Sequence, residues 1–233
     1  MKVLRRSSER GYFENSWLKS YHSFSFSDYY DPKHMNFRHL RVINHDFIAA
    51  SSGFPTHPHR DMEIITYVLK GAVAHKDSMG NQTQIKAGEV QVMTAGSGIT
   101  HSEFNPSSTD VLELLQIWLT PHRSGIKPHY GQRVYSNEDK KNRFKLIASA
   151  DQAEDSLKIN QDVRLMGTFL EAGKTLTFEI PGNRYAWLQL AEGEIEINGE
   201  RLTKGDAFAA DSDEKNLQIK AITNSDFVLF DLN

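Results

Sequence analysis

Short runs of β-branched and aromatic residues, each closed by glycine or by polar turn residues, set the pattern of this chain. Arg41-Val42-Ile43 leads into Phe47-Ile48-Ala49, and Ile64 to Leu69 ends at Lys70-Gly71. Ala72 to Lys76 ends at a turn rich in Ser, Gly and Asn, between Asp77 and Gln82. Thr83-Gln84-Ile85 stops at Ala87-Gly88, Val90 to Met93 at Ala95-Gly96-Ser97-Gly98, and Leu112 to Leu119 before Pro121. Strands this short, punctuated at roughly 8–12-residue spacing, predict an antiparallel sandwich or barrel. The fold class is therefore all-β.

The second half repeats the first. Leu188-Gln189-Leu190-Ala191-Glu192-Gly193-Glu194-Ile195 parallels Tyr67-Val68-Leu69-Lys70-Gly71-Ala72-Val73, and Lys204-Gly205-Asp206-Ala207-Phe208 parallels Ala87-Gly88-Glu89-Val90-Gln91. In each copy a strand ends at glycine, a hairpin follows, and a glycine-acid pair opens the next strand. A duplicated β-barrel is predicted. Its expected bounds are residues 1–125 for the first barrel, 126–150 for a linker and 151–233 for the second. The charged stretch Asn137 to Lys145 reads as a short helix or a surface loop.

Composition narrows the function. The 233 residues carry 27 Lys plus Arg against 30 Asp plus Glu, a formal charge of −3, which argues against non-specific nucleic-acid binding. There is no cysteine, so disulfides, thiolate metal ligands, Fe–S clusters and a cysteine nucleophile are excluded. The basic start Met1 to Ser7 is not followed by an apolar targeting segment. The most apolar stretch, Val111 to Leu119, is interrupted by Glu113 and Gln116 and falls short of the roughly 20 residues of a bilayer span. A cytoplasmic protein is expected.

All ten histidines lie between His22 and His129. On an extended chain, residues two apart face the same side, so His57 and His59 project together, as do His101 and Glu103. Two adjacent strands that aim these pairs inward would supply three imidazoles and one carboxylate, a donor set for a divalent transition metal. Four protein ligands leave positions open on an octahedral ion, as a catalytic metal requires. Glu63 competes with Glu103 as the carboxylate. Met93, Gln116 and Trp118 are inward positions as compatible with core as with a substrate wall. His22, His75 and His129 are expected to be surface or structural.

Gly53-x3-His57-x-His59-x3-Glu63-x7-Gly71 resembles the first cupin motif, and Gly88-x7-Gly96-x-Gly98-x2-His101-x3-Asn105 resembles the second. The first is shortened before His57, and Ala95 stands where proline is usual. With His57-Pro58-His59-Arg60, Met93 through Glu103, and Trp17 through His22-Ser23-Phe24-Ser25-Phe26 to Tyr30-Asp31-Pro32, the chain is identified as similar to the pirins, densely from about Glu9 to Leu119 and more loosely to the end.

That resemblance implies a bicupin, two antiparallel jelly-roll barrels in tandem, with one metal ion in the N-terminal barrel. The implied ligands are His57, His59, His101 and Glu103, with Glu63 not a ligand. The implied ion is iron first, with Mn, Ni, Cu, Co or Zn as alternatives. Aligning Gly193 with Gly71 places Glu179 and Pro181 where His57 and His59 stand, so the second barrel is expected to be structural or a partner surface. Bacterial pirins resemble quercetin 2,3-dioxygenases, which implies a planar polyphenol substrate, O2, release of CO, and Glu103 as the catalytic proton acceptor. Relatives imply a monomer without nucleic-acid or membrane partners. Eukaryotic pirins offer the alternative of a metal- and redox-sensing regulator that binds a protein without turnover.

Overall fold

A computed structural model describes residues 1–233. In chain order its strands begin with β1 (Lys2–Arg5), β2 (Gly11–Glu14), β3 (Leu18–His22), β4 (Leu40–Ile48), β5 (Gly53–His59), β6 (Glu63–Lys70) and β7 (Ala72–Asp77). They continue with β8 (Gln82–Lys86), β9 (Glu89–Thr94), β10 (Ile99–Phe104), β11 (Leu112–Leu119), β12 (His129–Val134), β13 (Lys145–Ser149) and β14 (Leu157–Lys158). The last are β15 (Val163–Leu170), β16 (Thr175–Glu179), β17 (Tyr185–Glu192), β18 (Glu194–Ile197), β19 (Glu200–Thr203), β20 (Ala207–Asp211), β21 (Asn216–Ala221) and β22 (Ser225–Leu232). The protein is all-β, as the glycine-punctuated runs predict. No helix is long and apolar enough to cross a membrane.

The chain forms two units. The first comprises Gly11–Val134 and Leu157–Gln161, the second Met1–Arg10, Tyr135–Ser156 and Asp162–Asn233. In the first, a large sheet of order β12-β9-β6-β11-β4-β3-β2 faces a four-stranded sheet of order β5-β10-β7-β8. In the second, the order β1-β20-β17-β22-β15-β13 faces β16-β21-β18-β19. Strand for strand, β6, β9 and β11 correspond to β17, β20 and β22, and β5 and β10 correspond to β16 and β21. The duplication legible in the sequence is thus a duplication of topology, and each unit is a cupin barrel.

The segment 126–150 differs from a bare linker. His129–Val134 pairs antiparallel with β9 (His129↔Thr94 to Val134↔Glu89), and Lys145–Ser149 pairs with β15. Between them Asn137–Lys140 is one helical turn, capped by Ser136, whose side chain accepts from the Asp139 N–H. Residues Met1–Arg10 belong with the second unit because β1 extends its large sheet, Lys2↔Ala210 through Arg5↔Ala207.

The two interiors are filled differently. In the second unit Leu188, Leu190, Ile195, Ile197, Leu202, Phe208, Leu217, Ile219, Phe227 and Leu229 pack as one apolar cluster. Strand β21 shows the cause: Leu217, Ile219 and Ala221 turn inward while Gln218 and Lys220 face water. Full burial of each large apolar side chain contributes about 1.5–3 kcal/mol. In the first unit apolar clusters such as Ile64, Met93, Ala95 and Ile99 stand beside buried polar side chains, Thr66, His101, Glu103 and Gln116 among them.

Candidate metal centre and its cavity

Strands β5 and β10 bring the sequence-selected residues together. They pair antiparallel with His101 directly opposite His57 and Ile99 opposite His59. The register shifts between His101 and Glu103, a bulge that re-aims the side chains beyond it. Gly53 makes this pairing possible, because a Cβ there would run into the backbone of Glu103 and Phe104. Gly96, at φ +46 before β10, is likewise required, because a Cβ would strike the carbonyl of Ile126.

Nε2 of His101 and Nε2 of His57 lie 3.0 Å apart, and the ring of His59 is 4.8 Å from that of His57 and 4.9 Å from that of His101. Two ligands about 2.1 Å from one ion at right angles are themselves separated by about 3 Å, so the His57–His101 spacing matches a shared coordination sphere. His57, His59 and His101 place their donor atoms within 4.8 Å of one another. Burial pushes His101 down to about 3 and His59 down to about 4, with neighbouring imidazoles adding to the effect. Both rings are therefore neutral near pH 7, the form that ligates a metal. The His57 Nδ1 donates to the carbonyl of Pro55 at 2.8 Å, which leaves its Nε2 as the free donor to an ion.

Glu103 is buried and clamped. Its Oε1 accepts from the Thr66 hydroxyl at 3.2 Å and its Oε2 from Gln116 Nε2 at 2.9 Å. It shares a second set of convergent donors with His101 and His75, so the structure holds two overlapping triads joined at His101 rather than one four-residue cluster. His75 is the residue that sequence reading placed elsewhere. It is buried on β7, with Nε2 3.1 Å from Asp77 Oδ2, and its register partner on β10 is Glu103. The inward alternation Val73, His75, Asp77 was the available signal.

Glu63 belongs to neither triad. It is fully buried and accepts from the Thr94 hydroxyl at 2.9 Å, the Asn160 N–H at 3.1 Å and Asn160 Nδ2 at 3.3 Å. Its carboxylate fastens Leu157–Gln161 onto the first unit. Burial pushes its pKa up, against these hydrogen bonds.

A cavity of about 610 Å³ opens beside the histidines. His57, His59 and Glu103 line one part, and Trp17, Phe26, Tyr29, Phe54 and Trp118 supply aromatic walls. The Trp118 ring stands edge-on to His59 at 4.9 Å. Gln116 and Trp118 face this cavity, whereas Met93 is packed in the core with Ile64, Ala95 and Ile99. His22 is buried on the cavity wall and His129 is exposed.

A tandem of cupin barrels, with a histidine-lined cavity in the first alone, defines a bicupin. The chain belongs to the pirin family: the pirin profile matches residues 3–119, and the profile for the quercetinase C-terminal cupin domain matches residues 146–232. It is 47% identical over 232 residues to a quercetin 2,3-dioxygenase of Escherichia coli (strain K12), covering 100% of this chain and 99% of that protein. It is 44% identical to a pirin-like protein of Caulobacter vibrioides, covering 94% of each. Among solved structures, YhhW from Escherichia coli superposes with a TM-score of 0.95 at 46% identity, covering 100% of this chain and 98% of that one. The nickel(II) complex of the bacterial pirin YhhW superposes with a TM-score of 0.94 at 46% identity, covering 100% and 99%.

Proposed function

We propose that this protein is a metal-dependent flavonol dioxygenase that opens the ring of quercetin-like substrates with O2 and releases CO. The observation that carries the reading is the convergence of three imidazoles beside an aromatic-walled cavity, with a buried carboxylate next to them. His57, His59, His101 and Glu103 are the proposed ligands, and the relative with bound nickel(II) supports a divalent ion. Three imidazoles and one carboxylate suit iron, the first expectation, as well as nickel.

The bound ion would lower the pKa of a flavonol 3-hydroxyl and favour its reaction with O2. The protein's share is positioning and proton handling. Trp118 and Phe26, edge-to-face at 5.4 Å, present flat apolar surface to a planar ring. Glu103 stands ready to accept the 3-hydroxyl proton. Thr66 and Gln116 donate to its two oxygens and hold both in place.

The test is aerobic turnover of quercetin by protein of assayed metal content, followed by loss of flavonol absorbance and by CO release. Metal-dependent turnover that is lost in Glu103→Gln is expected. A full site with no turnover under Fe, Mn, Ni, Cu or Co would refute the dioxygenase reading and favour a sensor that binds a protein partner.

A further inference from the structure

The large sheet of the first barrel carries a polar row where barrel interiors are usually apolar. The register sets His22 opposite Asn44, Asn44 opposite Gln116, and Gln116 opposite Thr66. Directly opposed residues share a face, and neighbouring strands lie about 4.8 Å apart, so this row runs sideways from beneath Glu103. Ser20 and Asp46 form the next inward pair on β3 and β4. Ser20, His22, Asn44 and Asp46 all line the cavity, and each is at most 4% exposed.

The hydrogen bonds give this strip a direction. The Ser20 hydroxyl donates to Asp46 Oδ1 through a short contact. Its one proton is thereby used, so the 2.8 Å contact between His22 Nε2 and Ser20 Oγ has His22 as donor. Ser20 is the one side chain that donates to the Asp46 carboxylate, and no cation pairs with it. Burial pushes Asp46 up to about 7, so above that pH it is a carboxylate, with about four acceptor positions of which most are unfilled. Asn44 Oδ1, two residues along the same face, is buried with no hydrogen-bond partner. An acceptor that faces the cavity unfilled offers a hydrogen bond to a ligand that presents a donor, whereas Asn44 Oδ1 is closed off from the cavity.

We infer that Asp46, set by Ser20, is a specificity subsite that recognises hydroxyl donors on the ring of an aromatic ligand lying away from the metal centre. The inference rests on the polyphenol reading of the cavity and adds the selection of ring hydroxylation. The Asp46 carboxylate favours phenols over their methyl ethers, because the ether has no proton to give and confronts one acceptor with another. Asp46 acts here in recognition and is not a catalytic residue.

The test is binding, not turnover, at pH 8, where Asp46 is mainly ionised, to protein as isolated with its metal content assayed. The probes are flavone, 4′-hydroxyflavone and 4′-methoxyflavone, none of which carries the 3-hydroxyl that ring opening needs or a catechol that chelates metals. Trp17 and Trp118 line the cavity, so quenching of their fluorescence reports occupancy. The wild type is expected to bind 4′-hydroxyflavone about ten-fold more tightly than 4′-methoxyflavone, the discrimination typical of one hydrogen bond to a charged group. Asp46→Leu should bring that ratio close to one while flavone binds as before. The isosteric Asp46→Asn, which keeps a partner for Ser20, should reduce the ratio in part and guards against a folding defect. Equal binding of the three probes, or a preference that survives in both Asp46 variants, would overturn the subsite and leave the proposed turnover standing. Preference lost in the variants, with no quercetin turnover in the wild type, would uphold the subsite and remove the dioxygenase reading. Absence of binding by all three probes would overturn the subsite, and quercetin turnover decides the dioxygenase reading separately.

Discussion

Glu63→Gln separates the two carboxylates that the cupin motifs bring forward. Glu63 accepts from three donors, on Thr94 and Asn160, and is fully buried. Glutamine offers one acceptor oxygen and presents an amide donor where the other carboxylate oxygen stood, so at least one of these donors loses its acceptor in the buried site, at a cost of about 1–3 kcal/mol. Burial pushes Glu63 up in spite of its hydrogen bonds, so the cost lies in the lost acceptor and not in the lost charge. The expected net loss is about 2 kcal/mol, a fall in Tm of about 4–8 °C for a chain of this size. Metal content should stay at the wild-type level, because no atom of Glu63 enters either donor triad. The assays are scanning calorimetry and elemental analysis on the same preparation, with Glu103→Gln alongside. A loss of metal in Glu63→Gln equal to that in Glu103→Gln would refute the assignment of Glu63 as a clamp. An unchanged Tm would refute the hydrogen-bond reasoning.

Three further outcomes are expected. Metal-stripped protein should lose stability as pH falls below 6.5, since the unfolded chain takes up protons that buried His59 and His101, at about 4 and about 3, refuse; urea titrations between pH 7.5 and 5 should show the slope, and His59→Gln should flatten it. In the second unit, burial pushes Asp206 up, but the N–H groups of Thr203 and Ser7 outweigh it and hold its pKa below 3.8. Wild type should therefore exceed Asp206→Asn by about 2 kcal/mol in denaturant at pH 7, a margin complete above pH 4 and lost as pH falls through the depressed pKa; a margin that grows in acid would contradict this. Gly53→Ala should lower metal content without touching a ligand, because the added Cβ meets the Glu103 carbonyl and pushes β5 off β10; full metal content in a folded Gly53→Ala protein would show that the pairing tolerates the shift.

Much of the fold was legible because β-barrel strands announce themselves locally. The runs Ile64 to Leu69 and Val90 to Met93 sit inside β6 and β9, and their glycine stops mark the turns. The imidazole pairs were legible for the same reason, since period-two alternation fixes which residues share a face. What escaped were features set by distant partners. Nothing near Lys2 reveals that it pairs with Ala210, and nothing around His129 shows that it opens a strand against β9. Asn44 and Asp46 interrupt the otherwise apolar alternate positions of β4, Leu40, Val42 and Ile48. That interruption was the visible sign of the polar strip, but only the register across β3 and β11 gives it an orientation.

The placement of β1 has a consequence for synthesis. Residues 11–134 hold nearly all of the first barrel, so this unit has almost its whole sequence once residue 134 has emerged, needing only Leu157–Gln161 to be complete. The second barrel is different: its edge strand is made first and its partner β20 some 200 residues later, while the Met1 ammonium waits for Asp211 at 2.6 Å. Contacts of such sequence separation form slowly. The barrel with the imidazole cluster therefore has its residues early, whereas the other cannot close until β20 has been made. An extension fused to Met1 would burden the late-closing half, and a truncation of residues 1–10 would leave β20 with a bare edge.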